Sequence, residues 1–205
     1  MLELEPGDRL VALAQVIETR RAGHTLPFIA AIDGRSGAGK STLAARLAET
    51  LGAAVLEGDA FYAGGVEVRS DRPDQRAAQC IDWLRQRVVL EALRSGRPAS
   101  FMSFDWAAFD GRLEERETLV LPRSVVVVEG VYSARPELAD LLDLRVLLRV
   151  PDDLRSARLL AREGAISPWE RQWHEAEDWY FAHAAPPEWF DVIVDGSEES
   201  AHGVA

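Results

Sequence analysis

The run Leu26-Pro27-Phe28-Ile29-Ala30-Ala31-Ile32-Asp33 leads directly into Gly34-Arg35-Ser36-Gly37-Ala38-Gly39-Lys40-Ser41-Thr42, and Leu43 to Leu51 (LAARLAETL) follows. The first segment is the short apolar run of a buried parallel strand, and the last has the spacing of a helix. The segment between them matches Gly-x-x-x-x-Gly-Lys-Ser/Thr at every fixed position. Glycines let the backbone curl so that successive N–H groups point inward at phosphate oxygens. The helix beginning near Lys40 adds the positive end of its dipole. In this pattern Lys40 reaches the β- and γ-phosphates of ATP, and the Ser41 hydroxyl ligates Mg²⁺. Residues Gly34 to Thr42 are therefore read as a phosphate-binding loop.

The pattern extends outward on both sides. Asp8 to Arg21 reads as an amphipathic helix with Asp8 as N-cap, Leu10, Leu13, Ala14 and Ile17 on one face, and Gly23 as its stop. Ala54 to Glu57 reads as a second short strand. Val66 to Gln79 is polar and without periodicity, and reads as an exposed segment. Asp82 to Arg94 is a helix stopped at Gly96, and Ala99 to Phe104 a short strand. Arg123 to Gly130 (RSVVVVEG) carries the strongest strand signal, since β-branched residues buried on both faces belong in a central parallel strand. Leu144 to Val150 is a further strand, Asp152 to Glu163 an Arg-rich helix, Ser167 to Ala184 a Trp-rich helix, and Asp191 to Gly196 a last strand. Alternation of strand and helix predicts a doubly wound parallel α/β sheet.

Composition limits the partners. The 205 residues carry 23 Lys plus Arg against 34 Asp plus Glu, a net charge of −11. Such a chain repels phosphodiester backbones and anionic membrane surfaces, and no local basic patch offsets this. The acidic start MLELEPGDRL is unlike a signal peptide, and no apolar run reaches the length of a membrane span. A lone cysteine, Cys80, fits a reducing cytoplasm. The expected organisation is one domain over 1–205, with a covering helix in 1–24, a short helical lid over about 152–168, and a flexible tail at 197–205.

Two carboxylates narrow the reaction. Glu129 closes the run VVVVE, at the carboxyl end of a central strand where ligands collect in open α/β sheets. From there it can hold the magnesium through a water or orient the attacking group. Asp59 stands just beyond the second strand. Transfer of a phosphoryl group to an alcohol needs a carboxylate to take the hydroxyl proton, and Asp59 is the candidate base, although a turn-forming Asp after Gly58 is an equal reading on local composition alone.

These residues resemble the uridine kinase family, within the uridine kinase and phosphoribulokinase group of P-loop kinases, over about Phe28 to Gly196. GRSGAGKST followed by GDAFY resembles that family's phosphate loop and its Asp-x-Phe-Tyr motif, which implies Asp59 as catalytic base and magnesium neighbour and sets Tyr62 at the substrate. The segment containing Asp82 resembles the stretch whose Asp binds ribose hydroxyls. SFDW resembles the family's Tyr-Asp-Phe motif, with Phe104 and Asp105 in its aromatic and acidic places. VVVVEGVY implies Glu129 as a magnesium-site residue, and DLRSARLLARE resembles the start of a lid whose arginines contact phosphates, which maps onto Arg155 and Arg158, and less securely Arg162. Two departures stand out. EGAISPWE follows the lid helix directly, which implies a shorter lid. AAFDGR has Phe109 near the place of a pyrimidine-contacting histidine, which implies a different acceptor or loose selectivity.

Trp83 and Trp106 lie beside Asp82 and Asp105, where stacking on a flat acceptor and core packing are equal readings, whereas Trp169, Trp173, Trp179 and Trp189 fit core packing better. The four histidines show no ligand spacing. The leading expectation is an ATP- and Mg²⁺-dependent kinase for a hydroxyl of a small molecule, a nucleoside first. The competing readings are a kinase for pantothenate, glycerate or a sugar, and a nucleotide switch with a protein partner, against which stands the lack of an Asn-Lys-x-Asp motif. Homo-oligomerisation is left open.

Overall fold

The computed structural model describes residues 1–4 and 9–197. Asp8 and positions 198–205 of the expected tail lie outside the described residues. Eight strands are formed among the described residues: β1 (Leu2–Leu4), β2 (Phe28–Asp33), β3 (Ala54–Glu57), β4 (Ala99–Phe104), β5 (Leu113–Val120), β6 (Val125–Glu129), β7 (Leu144–Arg149) and β8 (Val192–Asp195). The helices are α1 (Arg9–Arg21), α2 (Lys40–Leu51), α3 (Pro73–Gln79), α4 (Trp83–Arg94), α5 (Asp152–Glu163) and α6 (Pro168–Trp179).

Six strands make one sheet in the order β1-β8-β7-β2-β6-β3, and every pairing in it is parallel. The sheet has helices on both faces, as its continuous apolar strands require. Alternate residues of β2 and β6 feed opposite layers. Phe28, Ala30, Ile32, Val125 and Val127 meet Leu13 and Ile17 of α1 and Leu43 and Leu47 of α2. Ile29, Ala31, Val126 and Val128 face the layer that holds Leu90, Leu93, Leu138, Trp173 and Tyr180. Side chains alternate across a strand, so the two central strands supply both cores at once.

The structure departs from expectation in four places. Leu2–Leu4 adds a parallel edge strand beside β8, a three-residue segment too short to show periodicity. Leu113–Val120 pairs antiparallel with β4 in a separate two-stranded sheet; it reads as polar because most of its residues are exposed. Val66 to Gln79 is not merely an exposed segment. Pro73–Gln79 is helical, with Arg76 and Ala77 buried and Arg76 paired to Glu175 of α6 at 2.8 Å. Finally, the Trp-rich helix begins with a capping box at Ser167 and Glu170, but Tyr180–Ala184 is a π-helical turn. No helix among the described residues is long and apolar enough to cross a membrane.

At the amino edge of the sheet, Arg94 joins three segments. Its guanidinium donates to Pro27 O (3.1 Å), Leu141 O (2.9 Å) and both oxygens of Asp143 (2.7 and 3.1 Å). Asp143 in turn accepts from the backbone N–H of Ile29 at 2.7 Å. Replacing Arg94 by Ala strands these carbonyls and the carboxylate, and should cost about 2 kcal/mol, read as a lowered midpoint in urea denaturation with an unchanged slope.

Candidate active site

The carboxyl ends of β2, β3 and β6 are aligned by register: Ile32 and Glu57 both pair with Glu129. The loops that leave them touch. A Cβ on Gly58 would lie 2.9 Å from the Glu129 carbonyl oxygen, and one on Gly130 would lie 3.2 Å from the Gly58 Cα. Only glycine at both positions allows this approach, which puts Asp59 and Glu129 side by side.

Lys40 opens α2, whose N-cap Gly39 has φ 96° and offers no side-chain cap. The first backbone N–H groups of the helix are thus left for an anion. Lys40 is only 9% exposed, and its ammonium donates to the Arg35 carbonyl at 3.2 Å. The Ser41 hydroxyl donates to Glu129 at 3.1 Å. Burial pushes the Glu129 carboxyl up to about 7, against the pull of Lys40. Asp59 opens onto the cleft but is set deep in surrounding protein, which raises its pKa, again with Lys40 opposing. Both shifts follow from desolvation of the charged form. Among the described residues there is no cluster of three or more His, Cys, Asp or Glu that could hold a metal by itself. The oxygen pair of Ser41 and Glu129 suits a hard cation that takes its other ligands from phosphate and water.

Beside Asp59 lies a cleft of about 610 Å³. Tyr62, Trp106, Phe109, Tyr132, Trp169 and Trp173 line part of it, and Arg162, Glu163, Glu170, His174 and Glu177 add charged and polar groups to the rest. Tyr62 is the hub, with Trp106 at 4.9 Å and Trp173 at 5.7 Å between ring centroids. The Trp106 indole N–H donates to the Asp59 carbonyl at 3.1 Å, which fixes one wall to the candidate base. The Tyr132 hydroxyl is buried without a hydrogen-bond partner, and a ligand in the cleft can supply one.

Not every candidate residue reaches this cleft. Asp82 caps α4, accepting from the Arg85 N–H at 3.1 Å, and is not among the lining residues. Trp83 lies under the Arg135 guanidinium, 5.6 Å from its ring centroid. Phe104 is buried behind Tyr62 and Trp106. Asp105 accepts from the Ala108 N–H and from Arg112, which hold its carboxyl below the usual range. In their place stand Trp169 and Trp173, which the sequence assigned to the core. Arg155 and Arg158 lie against the phosphate loop, at 3.5 Å from Ser36 O and 3.4 Å from Ala38 O. Arg162 is the α5 arginine that lines the cleft, and its charge acts on Asp59.

A phosphate-binding loop on an all-parallel sheet, facing a small-molecule cleft with a carboxylate between them, defines a P-loop small-molecule kinase. The family model "AAA domain" matches residues 30–103. A uridine kinase from Deinococcus deserti is 34% identical over 154 residues, covering 69% of this chain and 70% of that protein. Another from Halobacterium salinarum is 29% identical over 151 residues, 68% of this chain and 64% of that one. The solved structure described as a possible uridine kinase from Bacillus stearothermophilus shares the fold, with a TM-score of 0.67 at 22% identity over 92% of this chain and 98% of that one. The chain belongs to the uridine kinase-like family of P-loop kinases.

The raised carboxyls have a measurable consequence. Glu129 near 7 and Asp33 near 6 sit above their ordinary values of 4.5 and 3.8, so the folded protein retains protons that the unfolded chain releases. Their contribution is full below the unfolded values and is lost as pH rises through the folded ones. Urea denaturation at pH 5.0 and 7.5 should therefore show lower stability at 7.5 from these groups. Glu129→Gln should shrink that difference.

Proposed function

We propose that the chain transfers the γ-phosphoryl group of ATP to a hydroxyl of a small acceptor with a flat ring, a nucleoside or nucleoside-like metabolite. The observation that carries this reading is the position of Asp59, which borders the aromatic cleft and also lies within the field of Lys40. Gly34, Arg35, Ser36, Gly37, Ala38, Gly39, Lys40, Ser41 and Thr42 would hold the triphosphate. Ser41 and Glu129, with Asp59 nearby, would hold Mg²⁺. That ion, when bound, neutralises charge on the phosphate oxygens during transfer.

The acceptor oxygen bonds to the γ-phosphorus as the bond to the β,γ-bridging oxygen breaks, and the hydroxyl proton passes to Asp59. A raised pKa makes Asp59 a stronger proton acceptor while Lys40 keeps it ionised enough to act. Lys40, Arg155 and Arg158 lie around the loop where charge spreads over the equatorial oxygens, and Arg162 faces the acceptor side. Tyr62, Trp106 and Phe109 offer edges and faces to a ring. The aromatic part of this lining supports a flat acceptor over glycerate or an open sugar, and Arg162, Glu163, Glu170 and His174 offer polar partners to its hydroxyls. Asp82, Trp83, Phe104 and Asp105 act, in this reading, behind the cleft wall rather than on the acceptor.

Coupled ADP release with a panel of nucleosides, pantothenate, glycerate and sugars tests the reading. A nucleoside should raise turnover. Asp59→Asn should lower kcat by about 10²–10⁴-fold, the range of a general base, with the nucleotide Kd little changed. Stimulation by a sugar or glycerate alone would reassign the acceptor, and no stimulation by any of them would count against transfer to these acceptors.

A further inference from the structure

Helix α6 ends on the phosphate loop. Glu177 is only 4% exposed, and its two carboxylate oxygens accept from the Ser36 hydroxyl and, at 3.1 Å, from the Ser36 backbone N–H. The next residue, Asp178, pairs with Arg35, and the Tyr180 hydroxyl donates to Asp33 at 2.8 Å. Glu177 and Asp178 of the helix thus hold Ser36 and Arg35 of the loop, and Tyr180 just beyond the helix holds the strand end that leads into it. The Asp178 side chain is 63% exposed, so that pair contributes little. Glu177 is the buried member. A carboxylate placed beside a triphosphate site repels the ligand it faces, and its place there calls for a compensating role.

That role follows from what else the helix carries. Trp169, Trp173 and Glu177 repeat every four residues and share one face of α6. Trp169 and Trp173 wall the cleft, while Glu177 borders it and reaches the loop. Gln172, on the same helix, accepts from the Arg69 N–H at 2.8 Å and donates to Glu67 O at 3.1 Å, which anchors the segment opposite.

We propose that Glu177 is a positioning residue that clasps Ser36, fastening the phosphate loop to the helix that walls the acceptor cleft, so that nucleotide on the loop alters the packing of Trp173. The proposal rests on the kinase reading, in that the loop must bind nucleotide. It adds a mechanical link between the two substrate sites that runs through one carboxylate.

Titration with ADP and with a non-hydrolysable ATP analogue, each with Mg²⁺, tests it by calorimetry and tryptophan emission in parallel. Wild-type protein should bind and shift its emission, and Trp173→Phe should remove most of that shift. Glu177→Ala should bind nucleotide within about tenfold of wild type yet lose the shift. Glu177→Gln keeps an oxygen acceptor for Ser36 and should retain it. An unchanged shift in Glu177→Ala, or equal loss in the Gln and Ala variants, overturns the clasp. Should Glu177→Ala fail to fold, Glu177→Asp shortens the reach to both Ser36 donors and must weaken the shift with nucleotide still bound; an unaltered shift there overturns the proposal as well. A wild-type chain that binds no nucleotide overturns the kinase reading and the clasp with it. One that binds nucleotide with no response from Trp173 overturns the clasp alone.

Discussion

The buried carboxylate of Asp33 holds the functional edge of the molecule together. It is wholly inaccessible and accepts four hydrogen bonds, from the N–H groups of Gly34 (2.8 Å), Tyr132 (3.0 Å) and Ala134 (3.0 Å) and from the Tyr180 hydroxyl (2.8 Å). A buried acid without partners would be severely destabilising. With these four it fixes the start of the phosphate loop, the turn after β6 and the segment after α6 relative to one another. It also accounts for Tyr132, a bulky residue at φ 71°. Left-handed backbone is costly there, and it persists because the N–H groups of Tyr132 and Ala134 both point at Asp33.

From that point the site divides into two chemistries that meet at Asp59. One side is built of backbone N–H groups, Lys40 and the arginines of α5, where the chain concentrates positive potential despite its overall charge of −11. The other side is aromatic and suited to a ring. Electrostatic attraction is therefore local, concentrated at the loop against the overall negative charge.

Much of this was legible in the sequence because it depends on local signals. The phosphate loop lies in contiguous residues, β6 declares itself through four consecutive valines, and Asp59 and Glu129 fall at strand ends by simple counting. What was not legible depends on side chains meeting across long sequence separations. Asp82 has the residue type of an acceptor ligand, but a helix start three residues before Arg85 uses its carboxylate as a cap. Trp173 looks like core by hydrophobicity, and it is buried, yet one edge is left to the cleft because Tyr62 and Gly64 pack beside it. Glu177 could have been found by extending the four-residue spacing of Trp169 and Trp173 by one more step. Asp33 carried a signal too: an acid closing a fully apolar strand must find partners nearby. The strand Leu113–Val120 was hidden because a two-stranded sheet with one wet face needs few apolar residues.

The ammonium that opens α2 has a chemical significance beyond binding. Lys40 is the sole lysine of the chain, since all 22 other basic side chains counted with it are arginine. The protein therefore presents one side-chain amine, and that amine is packed under the loop where a nucleotide would lie. Amine-selective reagents therefore have a single side-chain amine to modify, and protection of Lys40 reports filling of the loop.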